Sequence, residues 1–184
     1  MVTTLGYAIL GLLARGSHSG YDLAQLLQVK VGAFWQASHS QIYPELARLT
    51  THGLVLHEVI AQTDRPDKKL YVITEAGRAA LRAWVDAPLA MTGRRDEFML
   101  KAFSLWLADP QRAITELRTH ARQHAAQQAQ YERLLIEKCA GAVPPINTPM
   151  FSSYLTLHRG VAYEREYTAW CNWAADLIAQ QTEH

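Results

Sequence analysis

The run Ser38-His39-Ser40-Gln41-Ile42-Tyr43-Pro44-Glu45-Leu46-Ala47-Arg48-Leu49 gathers hydrogen-bonding side chains at the start of an amphipathic segment. Ile42, Leu46 and Leu49 recur at helical spacing and form an apolar face. Ser38, His39, Ser40, Gln41 and Tyr43 stand at or near its start, on other faces. A helix that packs through its second half and presents polar groups from its first turns suits a DNA major groove. There Ser, His and Gln side chains reach base edges or phosphates. An ordinary surface helix with a polar cap has the same pattern, so the neighbouring elements must decide between the two.

Upstream, Leu5, Ala8, Ile9, Leu12 and Leu13 form an apolar helical stripe that ends at Gly16. Ser17, Ser19 and Gly20 mark a turn. A second short helix, with Tyr21, Leu23, Ala24, Leu26 and Leu27, closes near Gly32. A link holding Phe34 and Trp35 leads to the Ser38 helix, for which Gly53 is placed as a C-cap. The period then changes. Leu54–Ile60 and Lys69–Ile73 read as strands. The loop Asp64-Arg65-Pro66-Asp67-Lys68 lies between them. Thr74 is an N-cap for a further helix that runs to Pro88, with Gly77 at N3 leaving the cap single-sided.

Three helices followed by a hairpin is the order of a winged helix-turn-helix. The hairpin is its wing, and Arg65, Lys68 and Lys69 concentrate positive charge at the tip, where it can meet phosphates. Glu45 and Arg48, three apart on one helix, read as an exposed pair.

Beyond Gly93-Arg94-Arg95 the pattern is helical throughout. Phe98, Ala102, Leu105 and Trp106 form one stripe. Asp109 and Pro110 supply an N-cap and a first-turn proline for a long helix from Gln111 to Lys138. That helix is rich in Ala, Gln and His at its centre, so its apolar stripe is thin. After the break Gly141-Ala142-Val143-Pro144-Pro145, a last helix from Pro149 to Gln181 repeats Tyr163, Tyr167, Trp170 and Trp173. These four form an apolar surface that both fills the domain and meets a second copy. The expected fold is mainly α with a small two-stranded β wing: residues 1–90 a winged helix-turn-helix, residues 91–184 a helical domain for dimerisation and effector binding.

Several motifs then resemble one family. Gly20-Tyr21-Asp22-Leu23, Phe34 to Leu46, Gly53-Leu54-Val55 and Arg65 to Gly77 are similar, in order and spacing, to the PadR family of bacterial transcriptional regulators. The second half, from Arg95-Asp96-Glu97-Phe98 and Lys101 onward, more diffusely resembles the helical domain of the longer PadR subgroup. The resemblance implies a homodimer that binds a palindromic double-stranded operator, usually represses, and in some members is released by an effector, such as a phenolic acid. It implies that Tyr21 touches the DNA backbone, that Ser38, His39, Gln41 and Tyr43 belong to the recognition region, and that Lys68 and Lys69 are the basic wing. Pro44 resembles a proline near the start of that helix, tolerated where first-turn amides lack partners.

Phe98, Lys101, Trp106, Tyr154, His158 and Arg159 are the candidates for an effector site, expected in a cleft between the two halves. His158 and Arg159 could hold a carboxylate through charge-assisted bonds. His120 and His124 stand at a metal-compatible spacing, but no third ligand pattern accompanies them, so no metal and no cofactor are expected.

Composition agrees with a globular chain. The 184 residues are 49% hydrophobic and 19% charged, with a net charge of +1, so any basic surface must be local. Cys139 and Cys171 lie far apart and read as reduced, partly buried thiols. Met1 to Leu5 lacks a basic leader region and no apolar run could span a bilayer, so a cytoplasmic protein without a membrane partner is expected. No Gly-rich phosphate loop, nucleophile elbow or metal-ligand cluster argues for catalysis, and an enzyme is not expected. The alternative to a ligand-modulated dimeric repressor is a winged-helix module that binds a protein partner.

Overall fold

A computed structural model of the chain describes residues 1–31, 38–60, 68–88 and 96–182. The chain divides into two compact units, Met1–Met91 and Thr92–His184.

In the first unit, α1 (Thr4–Leu13) starts at Thr3, whose hydroxyl accepts the Gly6 amide at 3.0 Å. Leu5, Ile9, Leu12 and Leu13 bury one face of α1, as their spacing predicts. A two-residue strand β1 (His18–Ser19) leads into α2 (Gly20–Leu26), and one turn of π-helix, Leu27–Val31, extends it. Helix α3 (His39–Thr51) buries Ile42, Leu46 and Leu49 against the α1 and α2 core. Each such side chain contributes about 1.5–3 kcal/mol of transfer free energy.

Helix α3 ends in a Schellman motif. The Gly53 amide donates to the Thr50 carbonyl at 2.9 Å and the Leu54 amide to the Leu49 carbonyl at 3.0 Å. Gly53 has a φ of +68°, the left-handed conformation that this stop requires. The turn aims Val55 straight into the core, so the hairpin leaves α3 in one register.

Strands β2 (Val55–Ile60) and β3 (Lys68–Ile73) pair antiparallel, with Val55 opposite Ile73 and Ile60 opposite Lys68. The sheet has three strands in the order β1-β3-β2, not the expected two. His18 and Ser19, expected as a turn, pair with Tyr71 and Leu70. Two residues are too few to display a period of two. Their pairing comes from the free edge of β3, a partner distant in sequence. Thr74 caps α4 (Glu75–Asp86), accepting the Gly77 amide at 3.0 Å while donating to the Gly53 carbonyl at 2.8 Å. Trp84 of α4 stacks on Tyr7 of α1, ring centroids 4.7 Å apart.

Two local expectations on α3 change. Pro44 lies inside the helix, past the amides that lack partners, so its ring leaves the Ser40 carbonyl without an intrahelical donor. Glu45 is buried, 7% exposed, rather than one of an exposed pair. Its Oε1 accepts from the Thr3 hydroxyl at 2.6 Å and from Arg48 Nη2 at 3.3 Å, and Arg48 also reaches the Met1 carbonyl. These bonds tie the start of α1 to the middle of α3.

In the second unit, α5 (Glu97–Phe103) stops at Ser104 and a 3₁₀ turn follows at Leu105–Leu107. The stripe Phe98–Trp106 is therefore broken, and Trp106 leaves the face that Phe98 occupies. Helix α6 (Pro110–Cys139) is capped by Asp109, and α7 (Pro149–Thr182) packs along it. Their shared core is Leu117, Ala121, Cys171, Ala174 and Ala175. The thin stripe of α6 thus contributes Leu117 and Ala121, with Ile114 packed beside them, against the small residues Cys171, Ala174 and Ala175 of α7. Cys171 is fully buried, and desolvation pushes its thiol up from the ordinary range. No described helix is long and apolar enough to cross a membrane.

Candidate nucleic-acid interface

Three elements of the first unit bring their polar ends together. Ser38 is the N-cap residue of α3, and its amide donates to Gln41 Oε1 at 3.1 Å. Its hydroxyl lies 3.0 Å from that of Ser40. Gln41 therefore closes the helix start with its carbonyl oxygen and keeps its amide nitrogen for another partner. Ser38, Ser40 and Gln41 are all exposed. The side chain of His39 lies outside the described residues, as do Arg65, Phe34, Trp35, Arg94 and Arg95.

Tyr43 projects from the second turn of α3 and lies against the start of α2. A Cβ at Gly20 would come within 2.6 Å of its ring, so any larger residue there must push the Tyr43 ring aside. Next to it Tyr21 is exposed, and its hydroxyl accepts from Gln25 at 3.0 Å. Burial, and secondarily the Tyr43 phenol, raise the Tyr71 hydroxyl above its ordinary range. Tyr21 and Tyr43 thus stand on neighbouring helix starts, as a backbone-contacting and a groove-facing pair require.

The wing contributes Lys68 and Lys69 from the start of β3, one strand residue apart rather than at the loop tip. Lys69 is exposed. Lys68 Nζ sits 3.1 Å from Asp22 Oδ2 on α2. Asp22 also closes a capping box with Ser19, accepting from its hydroxyl at 2.7 Å and its amide at 3.1 Å. The Ser19 hydroxyl, more than Lys68, holds the Asp22 carboxyl below its usual range. Sequence reasoning missed Asp22 in this role. The only local signal was Ser19 three residues before it, the spacing of a capping box.

The six effector candidates do not converge. Phe98 is half-buried among His120, Tyr167 and Trp170, with ring centroids 4.4, 5.5 and 5.8 Å away. Lys101 is exposed and pairs with Glu97 at 3.1 Å. Trp106 is 81% exposed. Tyr154 packs on His158, and Arg159 lies 5.6 Å from the Tyr163 ring. Tyr154 and Tyr167 are thirteen residues apart on α7, about 20 Å along its axis. The aromatic cluster is instead tied by bonds not foreseen. Tyr167 donates to Asp96 at 3.1 Å, and its phenol is strongly raised by burial and by that carboxylate. His124 hydrogen-bonds Glu164, which is buried on α7. His124, singled out by its spacing from His120, therefore serves a carboxylate forty residues away.

Of the expected interface aromatics, Tyr167 and Trp170 are half-buried against the α6–α7 core, and Tyr163 is half-buried against Tyr167. Trp173 alone of the four is exposed.

The first unit, with α1, β1, α2, α3, β2, β3 and α4 in that order, is a winged helix-turn-helix. Family models match both units: the "Transcriptional regulator PadR-like family" over residues 9–83, and the "Virulence activator alpha C-term" family over residues 94–179. The chain is 36% identical, over 90% of its length and 92% of the relative's, to the negative transcriptional regulator PadR of Bacillus subtilis. The crystal structure of B. subtilis PadR in complex with operator DNA aligns with a TM-score of 0.83 at 32% identity, covering 96% of this chain and 99% of that one. The complex of the same protein with p-coumaric acid aligns at 0.77 and 31%, with the same coverage. This chain belongs to the PadR family of transcriptional regulators.

Proposed function

We propose that the protein is a sequence-specific, homodimeric repressor whose first unit binds a palindromic operator and whose second unit dimerises and takes an effector. One observation carries the DNA reading. Helix α3 buries Ile42, Leu46 and Leu49 while its start exposes Ser38, Ser40, Gln41 and Tyr43, beside Tyr21 and the basic end of β3. Gln41 and the serines suit base edges, and Tyr21, Tyr43 and Lys69 suit phosphates. Arg65 adds charge to the wing in the same reading. The likeness to a PadR bound to operator DNA supports it.

The dimer reading rests on α5 and the turn after it. Leu100, Phe103, Trp106 and Leu107 are all largely exposed in the single chain, Phe103 by 84%, and Trp173 is exposed as well. So large an apolar surface marks an interaction site. A second copy covering it sets the separation of two recognition helices, which must be about 34 Å for successive major grooves. The effector is a small aromatic acid, on the likeness to a PadR bound to p-coumaric acid. Tyr154, His158 and Arg159, neighbours on α7, remain its candidate contacts. A repressor of this kind works where the chromosome is, in the bacterial cytoplasm.

Fluorescence anisotropy tests the reading, using the duplex upstream of the protein's own gene and a scrambled duplex across a salt series. Nanomolar binding to the upstream duplex, at least about a thousandfold tighter than to the scrambled one, is expected. Equal, weak and salt-labile binding to both duplexes would favour a winged helix that serves a protein partner.

A further inference from the structure

Lys68 and Lys69 are adjacent and carry the same charge, yet their surroundings differ. Lys69 faces solvent with no carboxylate at ion-pair distance among the described residues. Lys68 Nζ is 3.1 Å from Asp22 Oδ2. That oxygen is no loose surface charge, because the Ser19 amide and hydroxyl converge on it at 3.1 and 2.7 Å. Ser19 is itself buried and pairs with Leu70 in β3. The carboxylate is thus fixed between α2 and the loop end of the β2–β3 hairpin. It follows Tyr21 directly, two residues after Gly20, so it is an acid set among the groups that the DNA-binding reading places on the duplex.

A fixed carboxylate in that place repels phosphate whatever the base sequence. Sequence-independent binding is supplied by cation–phosphate contacts, so anything that withholds a lysine lowers it first. Discrimination between partners is gained by such repulsive elements as well as by attractive ones. We infer that Asp22 is a specificity-determining residue, holding Lys68 as a strut between α2 and β3 so that Lys69 alone of the two lysines meets phosphate. The inference rests on the DNA-binding reading above.

Full-length Asp22→Asn keeps a side-chain oxygen for the Ser19 donors and removes the charge. In the anisotropy salt series it binds the scrambled duplex more tightly, with a log–log slope steeper by about one unit. That is about a fourfold larger loss of affinity for a fourfold rise in salt. Affinity for the upstream duplex rises less, so discrimination falls. The added slope disappears in Asp22→Asn/Lys68→Ala. In the otherwise unchanged chain, Lys68→Ala leaves the slope as it was and Lys69→Ala lowers it by about one unit. An unchanged slope in a folded Asp22→Asn protein overturns the inference, as does Lys68→Ala lowering the slope as far as Lys69→Ala. If thermal melting finds Asp22→Asn unfolded, the comparison of the two lysine variants decides alone. A parent protein with no salt-sensitive binding to either duplex defeats the DNA reading itself and the inference with it.

Discussion

Gln41 does two things with one side chain. Its carbonyl oxygen closes the start of α3 on the Ser38 amide, and its amide nitrogen points the remaining hydrogen-bonding capacity outward. Gln41→Glu separates them, because Glu at this helix position also closes a capping box but donates nothing. We expect Gln41→Glu to melt near the parent temperature while its ranking of operator variants changes, by about 1–3 kcal/mol at the base pair it reads. A uniform loss across all variants in a competition assay would show instead that Gln41 only shapes the helix. Asp22 makes a pH prediction. Its carboxyl is held below the unfolded value by Ser19 and Lys68, so its contribution to stability is present above about pH 4, the ordinary carboxylate value, and is lost as pH falls through the lower folded value. The melting-temperature difference between the parent and Asp22→Asn should therefore be largest near neutrality and shrink in acid. A difference that grows below pH 4 has the wrong sign. Glu45 shows where residue-level reading ran out. Three apart from Arg48, it looks like a surface pair, and only the chain returning from Thr3 buries it.

At the scale of elements, the joint between α3 and β2 carries the most consequence for the site. The Schellman stop at Gly53 fixes where Val55 enters the core, and so fixes the wing relative to α3. Gly53→Ala has open space for its methyl group but must hold the left-handed φ, at a cost of about 1 kcal/mol. Leu46→Ala, by contrast, empties a fully buried position and should cost about 2–5 kcal/mol. Urea titrations of both variants check this. Equal losses would mean that the turn is more constrained than its geometry indicates. The helices and the two long strands were legible because their apolar residues repeat over several turns or alternations. The break at Ser104 was not, since Phe98, Ala102, Leu105 and Trp106 keep helical spacing straight across it.

For the whole molecule, the question is which apolar surface a second copy covers. Trp170 is packed against its own unit, so Trp170→Ala should lower the melting temperature of the chain. Phe103 and Trp106 contribute little to the fold of the single chain, so Phe103→Ser/Trp106→Ser should leave helicity intact and shift the protein toward monomer. Sedimentation velocity over a dilution series separates the two. A double variant that sediments as the parent does at every concentration would remove this surface from the dimer. Weaker operator binding should accompany dissociation, because each half-site then binds alone.

Motifs spread from Gly20 to Gly77 marked the family, and the sequence by itself determined the long elements of the winged helix, the polar start of α3 and the caps at Thr74 and Asp109. The elements and caps are written in spacings of two to four residues, within reach of local propensity and hydrogen bonding. Only the tertiary structure decided the third strand, the burial of Glu45, the pairing of His124 with Glu164, the scattering of the effector candidates and the different surroundings of Lys68 and Lys69. The physical reason is common to all five. Each depends on groups 40 or more residues apart, or on which side of a helix its neighbour covers, and chain packing settles both where residue type alone does not.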